Sequence, residues 1–213
     1  MHTIIVANAP AFDAAPFIEQ LRAADLLIAA DGGGNALHRL GITPTLVIGD
    51  LDSLDEQAAV SFAAAGAEFQ RRPTAKDETD LELALLMALE RGARSIDILG
   101  ALGGRWDQSL SNVALLALPE LAGTRVRLLD HEQEAFIVRD EAAITGKQGD
   151  TVSLLPIGGP AHGITTRGLH YPLHEATLHF ERTRGISNVI SVPPAHVSLR
   201  AGLLLVVHTF STV

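Results

Sequence analysis

The sequence contains no cysteine. Disulfides, thiolate metal sites and thiol nucleophiles are therefore excluded, and the absence fits a reducing, cytoplasmic compartment. Long hydrophobic runs are missing too. The richest late stretch, "GLLLVVHTF" at 202–210, is too short to span a bilayer, so a soluble protein with no membrane partner is expected. The first residues, "MHTIIVANAP", have neither a basic n-region nor a long apolar h-region and do not read as a signal peptide. Positive charge is scarce: 16 Lys and Arg face 25 Asp and Glu, a formal net charge of -9 at pH 7. Such a chain has no general electrostatic attraction to nucleic acid, and a bound nucleotide would need metal ions or a few local cations. Two phosphate-binding fingerprints are also absent. Neither G-x-G-x-x-G nor G-x-x-x-x-G-K-[ST] occurs, so any nucleotide is held by another device.

What is present is a globular composition. The 213 residues are 47% hydrophobic and 19% charged, enough for one large domain or two modest ones. The first part alternates apolar strands with helical patterns. "TIIVAN", "LLIAA", "TLVIGD", "AEFQRR", "SIDILGA" and "RVRLLD" read as strands, and "APFIEQLRAA", "DEQAAVSFAAAG", "DETDLELALLMALERG" and "DQSLSNVALLALPELA" as helices. Alternation of this kind predicts an α/β unit, a mostly parallel sheet with helices on both faces. After Asp130 the texture changes. Glycines and prolines recur between β-rich runs such as "EAFIV", "DTVSLLPI", "ATLHF", "NVISV" and "GLLLVVHTF", and no helical segment remains. This predicts a C-terminal all-β sandwich, with domains at 1–132 and 133–213.

Ligands of open parallel sheets bind at the carboxyl ends of the strands. Four polar clusters fall at such ends. Asp31, Gly32, Gly33, Gly34 and Asn35 follow "LLIAA"; their glycines allow close backbone approach to a ligand or serve a tight strand-to-helix turn. Asp50 and Asp52 lie two apart, so in an extended segment their carboxylates share a face, as a Mg²⁺ site needs. The competing reading makes Asp52 or Ser53 the N-cap of the next helix. Lys76, Asp77, Thr79 and Asp80 present a cation beside two carboxylates, although Asp77 as N-cap with Asp80 inside the first turn would also explain the pair. Arg105, after Gly103 and Gly104, can fork onto phosphate oxygens, with Asp107 orienting it or capping the following helix. The histidines of "HYPLHEATLHF" read as ordinary surface or strand residues rather than a zinc site, because Pro172 breaks any helix that would gather them.

Together, "ADGGGNALHRLGITPTLVIGDLDS", "KDETDLELAL", "GALGGRWDQSLSN", "GLHYPL" and "RGISN" resemble the thiamine pyrophosphokinase (thiamin diphosphokinase) family, in an ordered set spanning nearly the whole chain. The resemblance implies an ATP-binding catalytic α/β domain and a thiamine-binding β-sandwich that also dimerises. It implies transfer of pyrophosphate from ATP to the thiamine hydroxyl, with Mg²⁺, in a homodimer whose thiamine site lies at the subunit interface. By the resemblance, Asp50, Asp52 and Asp80 are metal-binding and catalytic residues, and Arg105 is catalytic. Asp31, Gly32, Gly33, Gly34, Asn35, Lys76, Asp77, Thr79, Asp107 and Gln108 contact the nucleotide. Ser187 and Asn188 contact thiamine. Gln108 stands where the family often has histidine, and Val189 and Ile190 stand where it usually has Glu and an aromatic. The ring that stacks on thiamine is thus left unassigned. The competing readings are a pyrophosphokinase for a related hydroxymethyl heterocycle, an Asp-x-Asp metal-dependent phosphohydrolase, and a nucleotide-binding module without turnover.

Overall fold

In β1 (His2–Val6), β2 (Leu26–Ala30) and β3 (Leu46–Gly49) almost every side chain is buried. Continuous apolar strands of this sort require cover on both faces, and helices provide it. The computed structural model describes residues 1–75 and 77–211. The chain divides into two compact units, Met1–His131 and Glu132 onward.

The first unit adds α1 (Ile18–Ala23), α2 (Gly33–Arg39), α3 (Glu56–Ala64), β4 (Glu68–Arg71), α4 (Asp80–Glu90), β5 (Ser95–Leu99), α5 (Trp106–Leu115) and β6 (Arg125–Leu129). Its strands are ordered β4-β3-β2-β1-β5-β6, and every neighbouring pair is parallel. On one face Ile4, Val6, Leu27, Ala29 and Val47 form a core with Leu37, Ala58 and Phe62 of α2 and α3. Helix α4 packs against β1, β2 and β3, burying Leu81, Ala84, Leu85 and Ala88. The strand sequence runs outward from β1 in one direction to β4, then resumes on its other side with β5. That reversal opens a crevice at the carboxyl ends of the strands.

Two expected helix starts differ. The N-cap of α4 is Thr79, not Asp77: its hydroxyl accepts the Glu82 N–H at 3.2 Å, and Asp80 is the first helical residue. Thr79-Asp-Leu-Glu82 has the capping-box spacing, and a hydroxyl at that position stabilises a helix by about 1 kcal/mol. The N-cap of α3 is Asp55 rather than Asp52 or Ser53, and its side chain makes no capping bond. Helix α5 also stops at Leu115, with a separate 3-10 turn at Pro119–Leu121, because proline cannot continue the ladder.

The second unit comprises β7 (Gln133–Val138), β8 (Glu141–Ile144), β9 (Thr151–Arg167), β10 (Ala176–Leu178), β11 (Asn188–Val189), β12 (Ala195–Ser198) and β13 (Ala201–Thr209), paired antiparallel. Strand β9 runs on past "DTVSLLPI" for 17 residues. Its first half pairs with β13 and its end with β12, and a register shift between Ala201 and Leu203 marks the transition. Val138, Ile144, Val152, Leu154, Ile164, Leu178, Ile190, Val197, Leu204 and Val206 form its buried core.

Candidate active site

Three acidic residues of the crevice, Asp31, Asp50 and Asp52, are delivered by strand ends. Asp31 follows β2, with its N–H on the Ile48 carbonyl at 2.9 Å. Asp50 and Asp52 follow β3, and the Asp52 N–H reaches Asp50 Oδ1 at 3.3 Å. Asp31 and Leu51 sit at φ 47° and 66°, conformations that ordinary side chains adopt only at a cost of about 1–3 kcal/mol. Those two turns aim the carboxylates inward. One oxygen from each of Asp31, Asp50 and Asp52 lies within 4.8 Å of the others. A cleft of about 410 Å³ contains these three with Ser53, Thr79, Asp80, Arg105 and Gln108 on its walls.

Asp80 approaches from the start of α4 and is outside that tight trio, whereas Asp31, expected as a nucleotide contact, is inside it. Gly49, at φ 147°, separates them: a Cβ there would meet both Asp31 Cβ and Asp80 Cγ at 3.0 Å. Asp31 is buried, and its Oδ1 has no hydrogen-bond partner among the described residues. Burial pushes its carboxyl above the ordinary value and the Asp80 charge adds to this, against hydrogen bonds from Gly32 and Ser53 that pull it down. A divalent cation fits such a site: three hard oxygen donors, one of them buried and unsatisfied, concentrate negative charge that a metal would neutralise.

Arg105 is the N-cap of α5, and its Nε donates to Asp107 Oδ1 at 3.1 Å while a second nitrogen grips Oδ2. The bonds to Arg105 hold the Asp107 carboxyl below the usual carboxylate range, and Arg105 stays firmly cationic. Both groups are exposed, so the pair orients the guanidinium more than it stabilises the fold. The preceding loop is tied to α5, with Asn112 Nδ2 on the Ala101 carbonyl at 2.7 Å and the Gly103 N–H on Ser109 Oγ at 3.1 Å.

Other expected residues lie elsewhere. Gly32, Gly33, Gly34, Asn35, Asp77 and Asp107 are not on the cleft wall, and Lys76 lies outside the described residues. Packing accounts for the glycines: a Cβ on Gly33 would stand 2.0 Å from the Val6 carbonyl oxygen. Asn35 clamps the acidic loop, donating to the Ser53 carbonyl and accepting the Asp55 N–H, both at 2.9 Å. Asn8 and Asn112 line the cleft without having been singled out, and so does Ser53, which was weighed only as an N-cap. Only their places in "ANAP", "GDLDS" and "GGRWDQSLSN" could have marked them.

Ser187 and Asn188 belong to the second unit. Ser187, at φ 58°, donates its N–H to Ser153 Oγ at 3.1 Å. Asn188 is buried and lines a cleft of about 300 Å³ with Leu154, Tyr171, Pro172, Arg184 and Ile186.

The comparisons cover both units. A family model described as thiamin pyrophosphokinase, catalytic domain, matches residues 17–128, and one described as thiamin pyrophosphokinase, vitamin B1 binding domain, matches 137–204. A thiamine pyrophosphokinase of Bacillus subtilis (strain 168) is 30% identical over 186 residues, 86% of this chain and 87% of that protein. Thiamine pyrophosphokinase 2 of Oryza sativa subsp. japonica is 26% identical over 213 residues, 85% of this chain and 77% of that protein. The crystal structure of thiamine pyrophosphokinase from Bacillus subtilis superposes with a TM-score of 0.87 at 29% identity, covering 99% of this chain and 100% of that one. With both units matched in order, the chain belongs to the thiamin pyrophosphokinase family.

Proposed function

We propose that the chain transfers a pyrophosphoryl group from ATP to the hydroxyl of thiamine, giving thiamine diphosphate and AMP. The observation that carries the reading is the meeting of Asp31, Asp50 and Asp52 within 4.8 Å, in a family member whose same cleft bears Asp80 and Arg105. Asp31, Asp50 and Asp52 would hold Mg²⁺. When bound there, the ion offsets the triphosphate's charge in a strongly acidic cleft and polarises its phosphoryl oxygens.

The chain's own residues supply position and charge. Asp80 accepts the proton of the thiamine hydroxyl, whose oxygen attacks the β-phosphorus. The bond from that phosphorus to the oxygen bridging to the α-phosphate breaks, and AMP leaves with that oxygen. Arg105, steered by Asp107, neutralises charge gathering on the phosphoryl oxygens, and Lys76 is assigned the same task. Such catalysis is chiefly orientation and electrostatic stabilisation. Asp80 is preferred over Asp77 as base because it alone of the two lines the cleft. The first unit is assigned ATP binding, with Thr79 and Gln108 on the nucleotide's path and Asn35 acting through the loop it clamps. The second unit is assigned thiamine binding through the Ser187–Asn188 segment, presented across a homodimer interface in a cytoplasmic enzyme. Among the described residues no helix is long and apolar enough to cross a membrane.

The test is to incubate the protein with Mg-ATP and thiamine and weigh the products. Thiamine diphosphate and AMP in equal amounts are expected. ADP with thiamine monophosphate, or a covalent phospho-enzyme with no thiamine diphosphate, would overturn the assignment.

A further inference from the structure

Both ring nitrogens of His208 are held by acids. The residue is fully buried on β13, level with Glu134 of β7 on one side and Val152 of β9 on the other. Its Nδ1 meets Glu134 Oε1 at 3.1 Å and its Nε2 meets Asp150 Oδ2 at 2.9 Å. Asp150 Oδ2 also accepts the Lys147 N–H at 2.7 Å, and Oδ1 accepts the Ser211 N–H at 2.8 Å. Ionised carboxylates only accept, so both ring nitrogens must donate and the ring is an imidazolium. Glu134 and Asp150 are the charged groups that face it, and the Phe210 ring packs edge-on with centroids 4.9 Å apart. Gly146 closes in on the same corner: a Cβ there would stand 2.6 Å from both His208 Nε2 and Asp150 Oδ2.

Asp150 faces two ways. Its side chain belongs to this cage, while its backbone docks the "GISN" segment. The Ile190 N–H donates to the Asp150 carbonyl at 2.9 Å, and the Gly149 N–H donates to the Ile190 carbonyl at 2.9 Å. From there β11 runs along the start of β9, with Val189 beside Thr151 and Asn188 beside Val152. The Ser187 N–H ends the run on Ser153 Oγ. Asn188 passes the constraint on. Its Oδ1 accepts the Tyr171 N–H at 3.0 Å and its Nδ2 donates to the Tyr171 carbonyl at 2.7 Å, and both residues line the smaller cleft. Residues 187–190 are therefore seated on a turn whose anchor, Asp150, is fixed by a charged imidazole.

We infer that His208, acting through Asp150, is a positioning residue for the Ser187–Asn188 segment, and that loss of its proton loosens that segment's hold on thiamine. Deprotonation leaves one ring nitrogen with no hydrogen to donate, so one of the two buried carboxylates loses its partner. The two acids are then left with no cation between them. Burial disfavours the imidazolium, but its bonds to Glu134 and Asp150 outweigh burial and keep the proton on above the ordinary 6.5. Positioning is thus complete below pH 6.5 and is lost as pH climbs through the folded value. This coupling deepens the proposed function and rests on its choice of thiamine as acceptor.

On the full chain, KM for thiamine, KM for ATP and kcat are measured against pH, in parallel with hydrogen-exchange protection of the Ser187 and Ile190 amides. In the wild type, thiamine KM is expected to rise about threefold to tenfold as pH passes through the folded value of His208, with protection falling over the same range. Glu134→Gln keeps an oxygen facing Nδ1 but removes a charge that retains the proton. Both transitions should then move to lower pH, while kcat and KM for ATP at a given pH stay as in the wild type. A merely structural role for Glu134 would leave the midpoint where it was. His208→Gln should show neither transition. An unshifted midpoint in Glu134→Gln overturns the inference, whether or not His208→Gln folds, and so does a transition retained in His208→Gln. Product formation with protection indifferent to pH overturns the coupling and leaves the proposed function standing. Protection that follows the titration in a protein that makes no thiamine diphosphate supports the mechanical link and overturns the choice of thiamine.

Discussion

A carboxylate's role is decided by what shares its space. Asp52 is exposed and its nearest contacts are local, the Ser53 hydroxyl donating to it at 3.0 Å, so the fold does not depend on its charge. Asp52→Asn keeps the shape and removes one negative ligand from the trio. Turnover is expected to fall about a hundredfold or more at ordinary Mg²⁺, with a melting temperature close to wild type. Near-normal turnover in that variant would remove the metal assignment. Asp50 and Asp52 were legible because two like charges at a strand end need an explanation. The membership of Asp31 was not, since only the parallel pairing of β2 with β3 sets it beside residues 19 and 21 places later.

Local elements were legible where chemistry is local. The strand–helix alternation follows from apolar periodicity, and the Thr79–Glu82 spacing states the start of α4, although the neighbouring aspartates draw attention away from it. The glycine turn shows the converse. Its three glycines fit a phosphate cradle or a packing requirement equally well in sequence, and the distances favour packing. The start of α2 is pressed so closely on β1 that Gly33→Ala would drive a methyl into the Val6 carbonyl oxygen, which as backbone cannot swing aside. A loss of about 1–3 kcal/mol or more is expected, read as a lower urea midpoint at unchanged slope. Gly66→Ala is the contrast, because its Cβ meets nothing within 4 Å and only the φ of 86° opposes it.

At the scale of the molecule, the second unit is tied by a buried network that pattern reading passed over. His208, fully buried on β13, lies between Glu134 of β7 at 3.1 Å and Asp150, just before β9, at 2.9 Å. Asp150 also accepts the N–H groups of Lys147 at 2.7 Å and Ser211 at 2.8 Å. Burial alone would lower the imidazole's pKa, but its hydrogen bonds to Glu134 and Asp150 outweigh it and raise the pKa above the ordinary 6.5. Burial alone would raise the Asp150 carboxyl, but the backbone donors and His208 hold it below 3.8. A raised histidine contributes stability that is complete below pH 6.5 and is lost as pH climbs through its folded value. A depressed aspartate contributes stability present above pH 3.8 and lost as pH falls through its folded value. The network is thus strongest between those limits. Thermal melts of the full chain should show stability declining above pH 6.5 from this source. His208→Gln should abolish that decline while costing roughly 3–5 kcal/mol, because two buried acids lose their shared cation. An unchanged alkaline slope in the variant would show that His208 is neutral in the folded protein.

The sequence by itself determined the fold class, the change from α/β to all-β texture near Asp130, and the acidic and arginine motifs that point to phosphoryl chemistry. These are properties of neighbours along the chain, where spacing and side-chain type suffice. Tertiary structure alone decided which carboxylates meet in the crevice, that the glycines serve packing, that Asn188 holds Tyr171, and that His208 is caged between acids. Each of those depends on contacts between residues far apart in sequence, and only closure of the sheets brings such partners within a few ångströms.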